Sequence, residues 1–371
     1  MADFTPFSYE HDNEYELNFG LQPLSIEGTA RFILTLRGEE IKKCYPCIGF
    51  DHKAIEKLAE HTHYLKIPEL LKCISPFNRL SFCYPYVLLM EKLLGLTPSL
   101  RTQSLRVIFA ELERIRSHMR IISALAQDLG SDIPKIYEIK QSAIIEHFLK
   151  NKEDLFQIGG IKYNITDEEI EDIYNWSSKK NNPFLEKISY SLSNNRIFKQ
   201  RTIGIGIISA EDAVSWGLSG PSLRASGVSW DLRQSSPYDA YSSLSFTPTI
   251  ENSGDVYSRY LVRAEEIKAS LSLISQIIEN IPPEENSTID LSEEDFPSPP
   301  AKELYLATES PAGELGISII SDGSSCPYRF HIRTPSFPHL QALNYLGKDT
   351  NFGNLVPIIA SFDLNMGEVD R

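Results

Sequence analysis

Cys44 and Cys47 are the first candidates for chemistry, because they form a CxxC pair. Such a pair serves as a metal-ligand or redox couple when a second pair or a thioredoxin-like βαβ setting accompanies it. Neither accompanies it in this sequence, so the spacing favours two ordinary thiols at the end of a strand. The chain has five cysteines, an odd number without a secreted-type framework, and we therefore expect reduced thiols.

The histidines and serines do not form a catalytic pattern either. His52, His61, His63 and His118 lack the HExxH spacing of a metal enzyme, and two histidines two residues apart on a helix point to different faces. A serine hydrolase would need a GxSxG turn between a strand and a helix, which the sequence does not contain. The residues alone therefore predict neither a metal site nor a self-contained catalytic site.

A group of arginines lies on one face of the stretch between Ser99 and Gly130. That face carries only two acidic residues, Glu111 and Glu113, in a chain that is acidic elsewhere. It is either a solvated face or a contact with an anionic partner or cofactor in another subunit. The arginines of this basic strip are Arg101, Arg106, Arg114, Arg116 and Arg120.

The same stretch is predicted to be a long helix at the centre of the fold. Its apolar residues recur at three- and four-residue steps, Ser99 supplies an N-cap, and Gly130 ends the helix. A second long helix is predicted over 255–281, packed antiparallel against the first. Shorter helical segments are predicted over 52–64 and 135–150, and within 67–95, where Pro68, Pro76 and Pro85 interrupt the pattern.

Around this helical core the sequence predicts β structure at both ends. A hairpin is expected between Arg31 and Gly49, where apolar and polar residues alternate on both sides of a turn. The predicted class is α+β, with a central long-helix bundle between N-terminal and C-terminal β regions. The predicted segments are a polar arm (1–16), an N-terminal β unit (17–50), a helical core (51–281) with a structured glycine-rich loop (217–233), a linker-like excursion (282–302), and a C-terminal β region with tail (303–371).

Composition excludes several classes of function. A formal net charge of -14 argues against nucleic acid, because a phosphate binder gathers positive charge on its binding face. The N-terminal residues lack the apolar core of a secretory signal, and no apolar run reaches the length of a membrane span. We therefore expect any membrane association to come through partners.

The longer motifs carry a family resemblance. The chain resembles the 49 kDa-type (D-type) subunit of respiratory complex I, the quinone-binding relative of the nickel–iron hydrogenase large subunit, from about residue 18 to 371. The stretches 195–241 and 309–343 are the most specific. The motifs are CIGFDHKAIEKLAE, FAELERIRSH, ALAQDLG, NNRIFKQRTIGIGIISAEDAVSWGLSGPSLRASGVSWDLR, PYDAY, GDVYSRYLVRAEEI, ESPAGELGISIISDGSSCPYRFHIRTPSFPHLQAL and MGEVDR.

The resemblance implies a hydrogenase-large-subunit fold and a subunit that binds no metal or flavin itself. Its implied partners are an iron–sulfur subunit of B type, a C-type subunit and the membrane-arm subunits. A 4Fe–4S cluster in the neighbouring subunit would lie against this chain, with quinone as substrate in the gap. The implied location is peripheral, on the cytoplasmic side of a bacterial inner membrane or the matrix side of the mitochondrial one.

The quinone-site motifs depart from the family pattern. Where the family reads HPxxHGxxR, this chain reads QPLSIEGTAR, so that Glu27 stands where the resemblance implies a headgroup-binding histidine. The headgroup tyrosine of a DRLDY-type stretch is replaced by Pro76 or Phe82, depending on the register, and neither residue has a hydroxyl. The arginine of an HRG motif becomes Lys53, followed by Ala54 in place of glycine. Arginine and lysine are not equivalent at such sites, so tuning of the cluster should differ.

Several site residues follow from the resemblance. Glu27, His52 and Asp128 are the expected quinone-binding residues, and Glu27 with Asp128 the catalytic ones. Two carboxyl groups that meet in a partly dry cavity cannot both ionise cheaply, so one pKa should be raised and the pair should share a proton near neutral pH. The alternative is that Glu27 turns to solvent or pairs with Arg31.

Two further residues are expected to face the cluster of the neighbouring subunit. These are Lys53 and Arg114, because a cation near a reducible centre stabilises its reduced form.

The implied function is that of a proton-translocating NADH:quinone oxidoreductase subunit that helps to form the quinone cavity. The alternative is a non-catalytic or altered-specificity paralogue that retains the scaffold, because both headgroup ligands are lost.

Overall fold

The computed structural model of the protein describes residues 7–11, 14–21, 25–150, 152, 155–163, 165–178, 183–283 and 292–371. Gln22 to Leu24, which precede the turn that carries Glu27, lie outside this part of the chain, as does the middle of the predicted excursion, 284–291.

The N-terminal β unit is a five-stranded sheet in the order β1-β2-β3-β4-β10. The predicted hairpin is confirmed as β3 and β4, which pair antiparallel through the turn at Gly38, where φ is 62°. The predicted polar arm is wrong in part, because its described residues form β1 and the start of β2. These strands are β1 Phe7–His11, β2 Glu14–Leu21, β3 Ala30–Arg37, β4 Glu40–Cys47 and β10 Thr350–Asn351.

The C-terminal β region is a three-stranded antiparallel sheet in the order β7-β8-β9, and it confirms the β structure predicted at this end of the chain. A small β5-β6 ladder lies within the helical part of the chain. The strands are β5 Phe156–Gln157, β6 Gly160–Ile161, β7 Lys302–Glu309, β8 Glu314–Ser321 and β9 Arg329–Arg333. The α+β class with β regions at both ends is thereby confirmed.

Fifteen α-helices are described between and around these sheets. Short 3-10 turns at Tyr64–Lys66 and Asp239–Ser243 and a π turn at Ser189–Ser193 complete the helical structure. The helices are α1 Ile55–Ala59, α2 Ile67–Lys72, α3 Arg79–Leu94, α4 Leu100–Asp128, α5 Ile133–Leu149, α6 Asp167–Ser177, α7 Pro183–Ile188, α8 Arg196–Gln200, α9 Ala210–Ser215, α10 Gly220–Arg224, α11 Leu232–Ser235, α12 Val256–Glu279, α13 Ser336–Leu346, α14 Phe352–Ala360 and α15 Met366–Val369.

The two long helices α4 and α12 pack against each other at the centre, as predicted. Ser99 caps α4 by accepting a hydrogen bond from the Thr102 N–H, and Gly130 follows its end at a φ of 85°. α3 differs from the prediction, since it continues through Pro85 as one 16-residue helix. The predicted glycine-rich loop contains the short helices α10 and α11, and much of it is buried.

The C-terminal tail is part of the core and not a surface extension. α14 was not predicted, and nearly all residues from Ser361 to Asp370 are buried. In the described helices, no segment combines the length and the hydropathy that a membrane crossing requires.

The two cysteines of the CxxC pair lie on a strand of the N-terminal sheet. Cys44 and Cys47 both lie on β4, and all five cysteines are free. Burial raises the pKa of the Cys44 thiol to about 12, so it is an inert packing residue. Among the described residues there is no group of three or more potential metal ligands.

Candidate functional site

Glu27 lies where the two ends of the chain meet. Its backbone N–H donates to the Leu364 carbonyl at 2.9 Å, and the Met366 N–H donates to the Glu27 carbonyl at 2.8 Å, so that Glu27 and Asn365 form a parallel β-bridge. Gly28 follows at a φ of 92°, and a Cβ atom there would lie 2.2 Å from the Asp51 carboxylate. The glycine is therefore required for the close approach that holds Glu27 in place.

The Glu27 carboxyl group is held by a hydroxyl and is partly removed from water. Ser75 Oγ lies 3.0 Å from each of its oxygens and donates to it, while the same Oγ accepts from the Asn78 N–H at 3.1 Å. Burial raises the pKa of Glu27 to about 7, against the opposing effects of Arg120 and the Ser75 hydrogen bond. Near neutral pH this residue therefore exists both as a neutral acid, which donates a hydrogen bond, and as a carboxylate.

The raised pKa agrees with the prediction, but the predicted carboxyl partner does not account for it. Asp128, at the end of α4, accepts a hydrogen bond from Ser25 Oγ at 2.9 Å. The acidic group that raises the pKa of Glu27 is Asp363, in the C-terminal tail. Arg31 donates to Asn18 at 2.8 Å, so the alternative of a Glu27–Arg31 pair is not observed either.

A cation and an aromatic ring complete the surroundings of Glu27. Arg120 Nη2 donates to Asp363 Oδ1 at 3.1 Å, and its guanidinium carbon lies 5.1 Å from the centre of the Phe77 ring. Asp363 adopts a left-handed φ of 55°, which is uncommon for a residue other than glycine. The chain thus holds a positive charge between two carboxyl groups next to an exposed aromatic face.

Glu27, Phe77 and Arg120 border a cavity of about 440 Å³ between α4, α5 and the loop before α3. Apolar surface comes from Ile26, Phe77 and Ile139, while Glu27, Arg120 and Glu138 supply polar groups. An apolar cleft of this size with a few placed polar groups is typical of a small-molecule site. The lining also includes Arg116, Lys135 and Glu146, so the cleft combines apolar walls with several charged side chains.

A hydroxyl group lies next to Glu27 at a position that the motif did not indicate. Pro76 is exposed and Phe82 is buried within α3, so neither replaces a headgroup tyrosine. Ser75, immediately before Pro76, places its hydroxyl directly on Glu27. The motif did not indicate Ser75, because its contact with Glu27 depends on how the loop folds and not on its position in the motif.

His52 and Lys53 lie next to the cavity but not in its lining. His52 Nδ1 is 2.5 Å from the Asp370 carbonyl oxygen, which ties the exposed imidazole to the C-terminus. Lys53 is exposed and donates from Nζ to the Cys73 carbonyl at 2.6 Å, and its charge lowers the pKa of Glu27. Ala54 adopts the left-handed conformation expected of the glycine it replaces, with φ at 54°.

The basic strip of α4 is not the solvated face considered from the sequence. Arg106 and Arg114 are almost completely buried, and Arg106 pairs with Glu91 at 2.5 Å. Arg114 pairs with Glu111 at 3.3 Å and donates to the Ser310 carbonyl at 3.0 Å. The guanidinium of Arg114 therefore makes its contacts inside this chain, and Lys53 is the exposed cation of the expected cluster-facing pair.

Sequence reasoning missed the C-terminal contribution altogether. Asp363, Asn365 and Glu368 lie behind Glu27 and are all buried. A signal was present, because polar residues alternate with the apolar Phe362, Leu364 and Met366 in this tail, as in a buried extended segment.

Comparison with known proteins identifies the family. A family model described as respiratory-chain NADH dehydrogenase, 49 Kd subunit, matches residues 135–293 and 288–371. The D-type subunit of NADH-quinone oxidoreductase from Wolbachia sp. subsp. Brugia malayi is 37% identical over 96% of this chain and 98% of its own length. The D-type subunits of Ehrlichia chaffeensis (37% identical, 96% and 97% covered) and Rhizorhabdus wittichii (34% identical, 96% and 95% covered) are similar to the same extent. The chain belongs to the 49 kDa subunit family of respiratory-chain NADH dehydrogenases, which is the family of the NADH-quinone oxidoreductase D-type subunits.

Proposed function

We propose that this chain is the quinone-site subunit of a proton-translocating NADH:quinone oxidoreductase. The observation that carries the proposal is the cavity in which Glu27, with a pKa raised to about 7, faces apolar walls. In this proposal a quinone headgroup enters the cavity, and protonated Glu27 donates a hydrogen bond to a quinone carbonyl oxygen. Asp128 positions the turn through Ser25, and His52 fixes the C-terminus beside it.

The reaction consumes two electrons and two protons for each quinone reduced to quinol. In this proposal the electrons come from a 4Fe–4S cluster of the neighbouring B-type subunit. Lys53 faces that subunit in this arrangement, and its exposed ammonium group favours the reduced cluster. The chain supplies the proton, orients the ring and keeps the reacting oxygen away from bulk water.

The proposed partners are the B-type iron–sulfur subunit, a C-type subunit and the membrane-arm subunits. The chain would then lie peripherally on the cytoplasmic side of a bacterial inner membrane, or on the matrix side in a mitochondrion, and its protonation steps would be coupled to proton translocation.

Purification of the tagged chain in mild detergent tests the assignment. The tag belongs at the N-terminus, because the Asp370 carboxylate accepts from the Gly49 and Asp51 N–H groups at 2.7 and 2.9 Å within the site. We expect an iron–sulfur subunit and membrane subunits to co-migrate with the chain. The purified complex should reduce quinone with NADH. A chain that is purified alone from membranes containing active complex I would contradict the proposal.

A second candidate function is an assembly scaffold without quinone chemistry. The replacement of the expected histidine by Glu27 and the absence of a tyrosine at Pro76 or Phe82 favour it. A second gene for a D-type subunit with an intact HPxxHGxxR motif in the same genome would support the scaffold, provided that deletion of the present gene leaves quinone reduction intact. Loss of quinone reduction on deletion, with no second copy, supports the catalytic assignment.

A further inference from the structure

The buried tail behind Glu27 contains a second carboxyl group, that of Glu368. It lies in α15, two residues after Met366, whose N–H donates to the Glu27 carbonyl. The Ser336 N–H donates to Glu368 Oε2 at 3.2 Å, and the Thr334 hydroxyl donates to its backbone carbonyl at 3.0 Å. Glu368 is only 5% exposed, so it reaches solvent through neighbouring groups and not directly.

The tail segment between Glu27 and Glu368 contains polar groups whose hydrogen-bonding capacity is not fully used. Asn365 Oδ1 accepts from the Glu368 N–H at 3.2 Å, which fixes the orientation of the amide and leaves Nδ2 as a buried donor without a partner. Asp363 Oδ2 is a buried acceptor without a partner two residues earlier. A donor and an acceptor of this kind are the partners that an internal water molecule needs. The tail segment that bridges to the backbone of Glu27 therefore has one buried donor and one buried acceptor to spare.

The charges around this segment do not balance when every carboxyl group is ionised. Three acidic side chains, those of Glu27, Asp363 and Glu368, are close enough to affect one another, and Arg120 is the cation paired with them. Burial raises the pKa of Glu368 to about 8, and the negative charges of Asp363 and Glu27 contribute to that increase. One proton shared within the group lowers its excess of negative charge by one unit.

Groups on the surrounding elements do not remove it. The Arg263 guanidinium on α12 interacts with Asp363 but also with Glu266. Burial lowers the pKa of His339 on α13 to about 3, so that this histidine is neutral. The exposed Lys53 lowers the pKa of Glu27 only as the smallest of the causes, and Arg371 is paired with Glu56 at 3.0 Å.

We propose that Glu368 acts through Glu27 as a proton-sharing partner, returning a proton to Glu27 each time Glu27 has protonated a bound quinone. The inference rests on the proposed function of the Glu27 cavity. Glu368 is a positioning residue for the proton and does not touch the quinone.

The proton balance of the step is simple. The Glu27 O–H bond breaks and an O–H bond forms on the quinone oxygen, while the quinone gains electrons from the iron–sulfur cluster of the neighbouring subunit. The Glu27 carboxylate then takes the Glu368 proton, and Glu368 regains one from solvent. With two electrons taken up, the other carbonyl oxygen of the ring takes its proton from solvent, and the quinone has become the quinol.

The test uses the assembled, membrane-extracted complex carrying Glu27→Gln, Glu368→Gln or Glu368→Asp, with Glu303→Gln on the exposed part of β7 as control. NADH:quinone reduction is measured across pH 5.5 to 9.5, with a water-soluble electron acceptor as a check on the rest of the complex. In the Glu368→Gln variant, we expect the fall in the rate of quinone reduction at alkaline pH, the alkaline limb of the profile, to begin about one pH unit lower than in the wild type. The fall should also follow the titration of a single proton, since the coupling partner of Glu27 is gone. Glu368→Asp should restore the wild-type limb, and Glu303→Gln should retain it.

An infrared titration of the same complexes without quinone supplies a readout independent of turnover. The carboxylic acid C=O bands of the wild type should titrate as a coupled pair, and Glu368→Gln should remove one band and shift the other. If Glu27→Gln leaves quinone reduction unchanged, the proposed function of the cavity fails. If Glu27→Gln changes the profile while Glu368→Gln changes neither the limb nor the remaining band, only the proton-sharing inference is overturned.

Discussion

Replacement of Glu111 by Gln should be among the most destabilising single changes in the core. Its carboxylate is completely buried in α4, and the Arg233 Nη1 donates to both of its oxygens at 3.2 Å. Arg114, Tyr241 and Ser270 donate to the same group. The neutral amide of the Glu111→Gln variant would leave the buried Arg114 guanidinium without its paired carboxylate and Arg233 with Asp231 as its ion-pair partner; breaking a buried pair from one side is the costly case.

The size of the effect follows from the titration of the carboxyl group. Burial alone would raise the pKa of Glu111, but Arg114 and Arg233 outweigh it and lower the pKa from 4.5 to about 2. Because each pKa unit is worth about 1.4 kcal/mol, the ionised group contributes about 3 kcal/mol to the free energy of unfolding. This contribution is complete above about pH 4.5 and is lost as the pH falls towards 2.

Urea unfolding of the purified chain, followed by tryptophan fluorescence at pH 7 and pH 4, measures the difference. The matched control is Glu113→Gln, two residues along the same helix, where burial raises the pKa and an amide oxygen in place of Oε2 can still accept from the Ser81 N–H. We expect a loss of about 3 kcal/mol for Glu111→Gln at pH 7, smaller at pH 4, and about 1 kcal/mol for the control. Equal losses in the two variants would refute the assigned role of the buried ion pairs.

Three further changes test other parts of the structure. Gly220→Ala should cost about 2 kcal/mol in urea unfolding, because φ is 63° and the added Cβ would lie 2.5 Å from the Gly313 Cα; no measurable loss would show that this contact is looser. His339→Gln should reduce the loss of stability on acidification between pH 6.5 and 3. Burial lowers the pKa of His339 in the folded chain to about 3, so that only the unfolded chain gains the proton in this range. Thermal unfolding measures this, and an unchanged slope of melting temperature against pH would contradict it. Maleimide labelling followed by mass spectrometry should modify exposed Cys73 in the folded chain and buried Cys44 only after unfolding, whereas equal rates would contradict their placement.

The long helices could be predicted because their signals are local. Ser99 and Gly130 mark the ends of α4 by side-chain capping and by a left-handed backbone, and both effects act within one turn. Pro85 shows the limit of such rules. α3 is buried on most sides, and its packing against neighbouring elements maintains a helix where local propensity predicts a break.

The basic strip was misjudged because several of its partners lie outside α4. Arg106 pairs with Glu91 on α3, Arg120 pairs with Asp363 in the C-terminal tail, and Arg114 donates to the Ser310 carbonyl after β7. No periodicity within α4 reveals these partners. A charged helix face therefore looked like surface until the tertiary contacts were known.

The candidate site could be predicted only in part, for the same reason. The motif substitution located Glu27 and the possibility of a raised pKa, but the groups that surround Glu27 come from the opposite end of the chain. The bridge to Asn365 and the interaction with Asp363 depend on how the tail folds back. Ser75 likewise reaches Glu27 only because the loop before α3 turns towards it.

The most direct test of the proposed quinone site is photolabelling of the assembled complex with a quinone that carries a photoreactive group on its ring. After digestion and mass spectrometry, we expect labelled peptides of this chain to contain the Glu27 turn or Phe77, and excess unmodified quinone should abolish the label. Label that is competed by quinone but lies entirely outside this cavity, or no competed label in this chain, would contradict the assignment of the cavity against Glu27 as the quinone site.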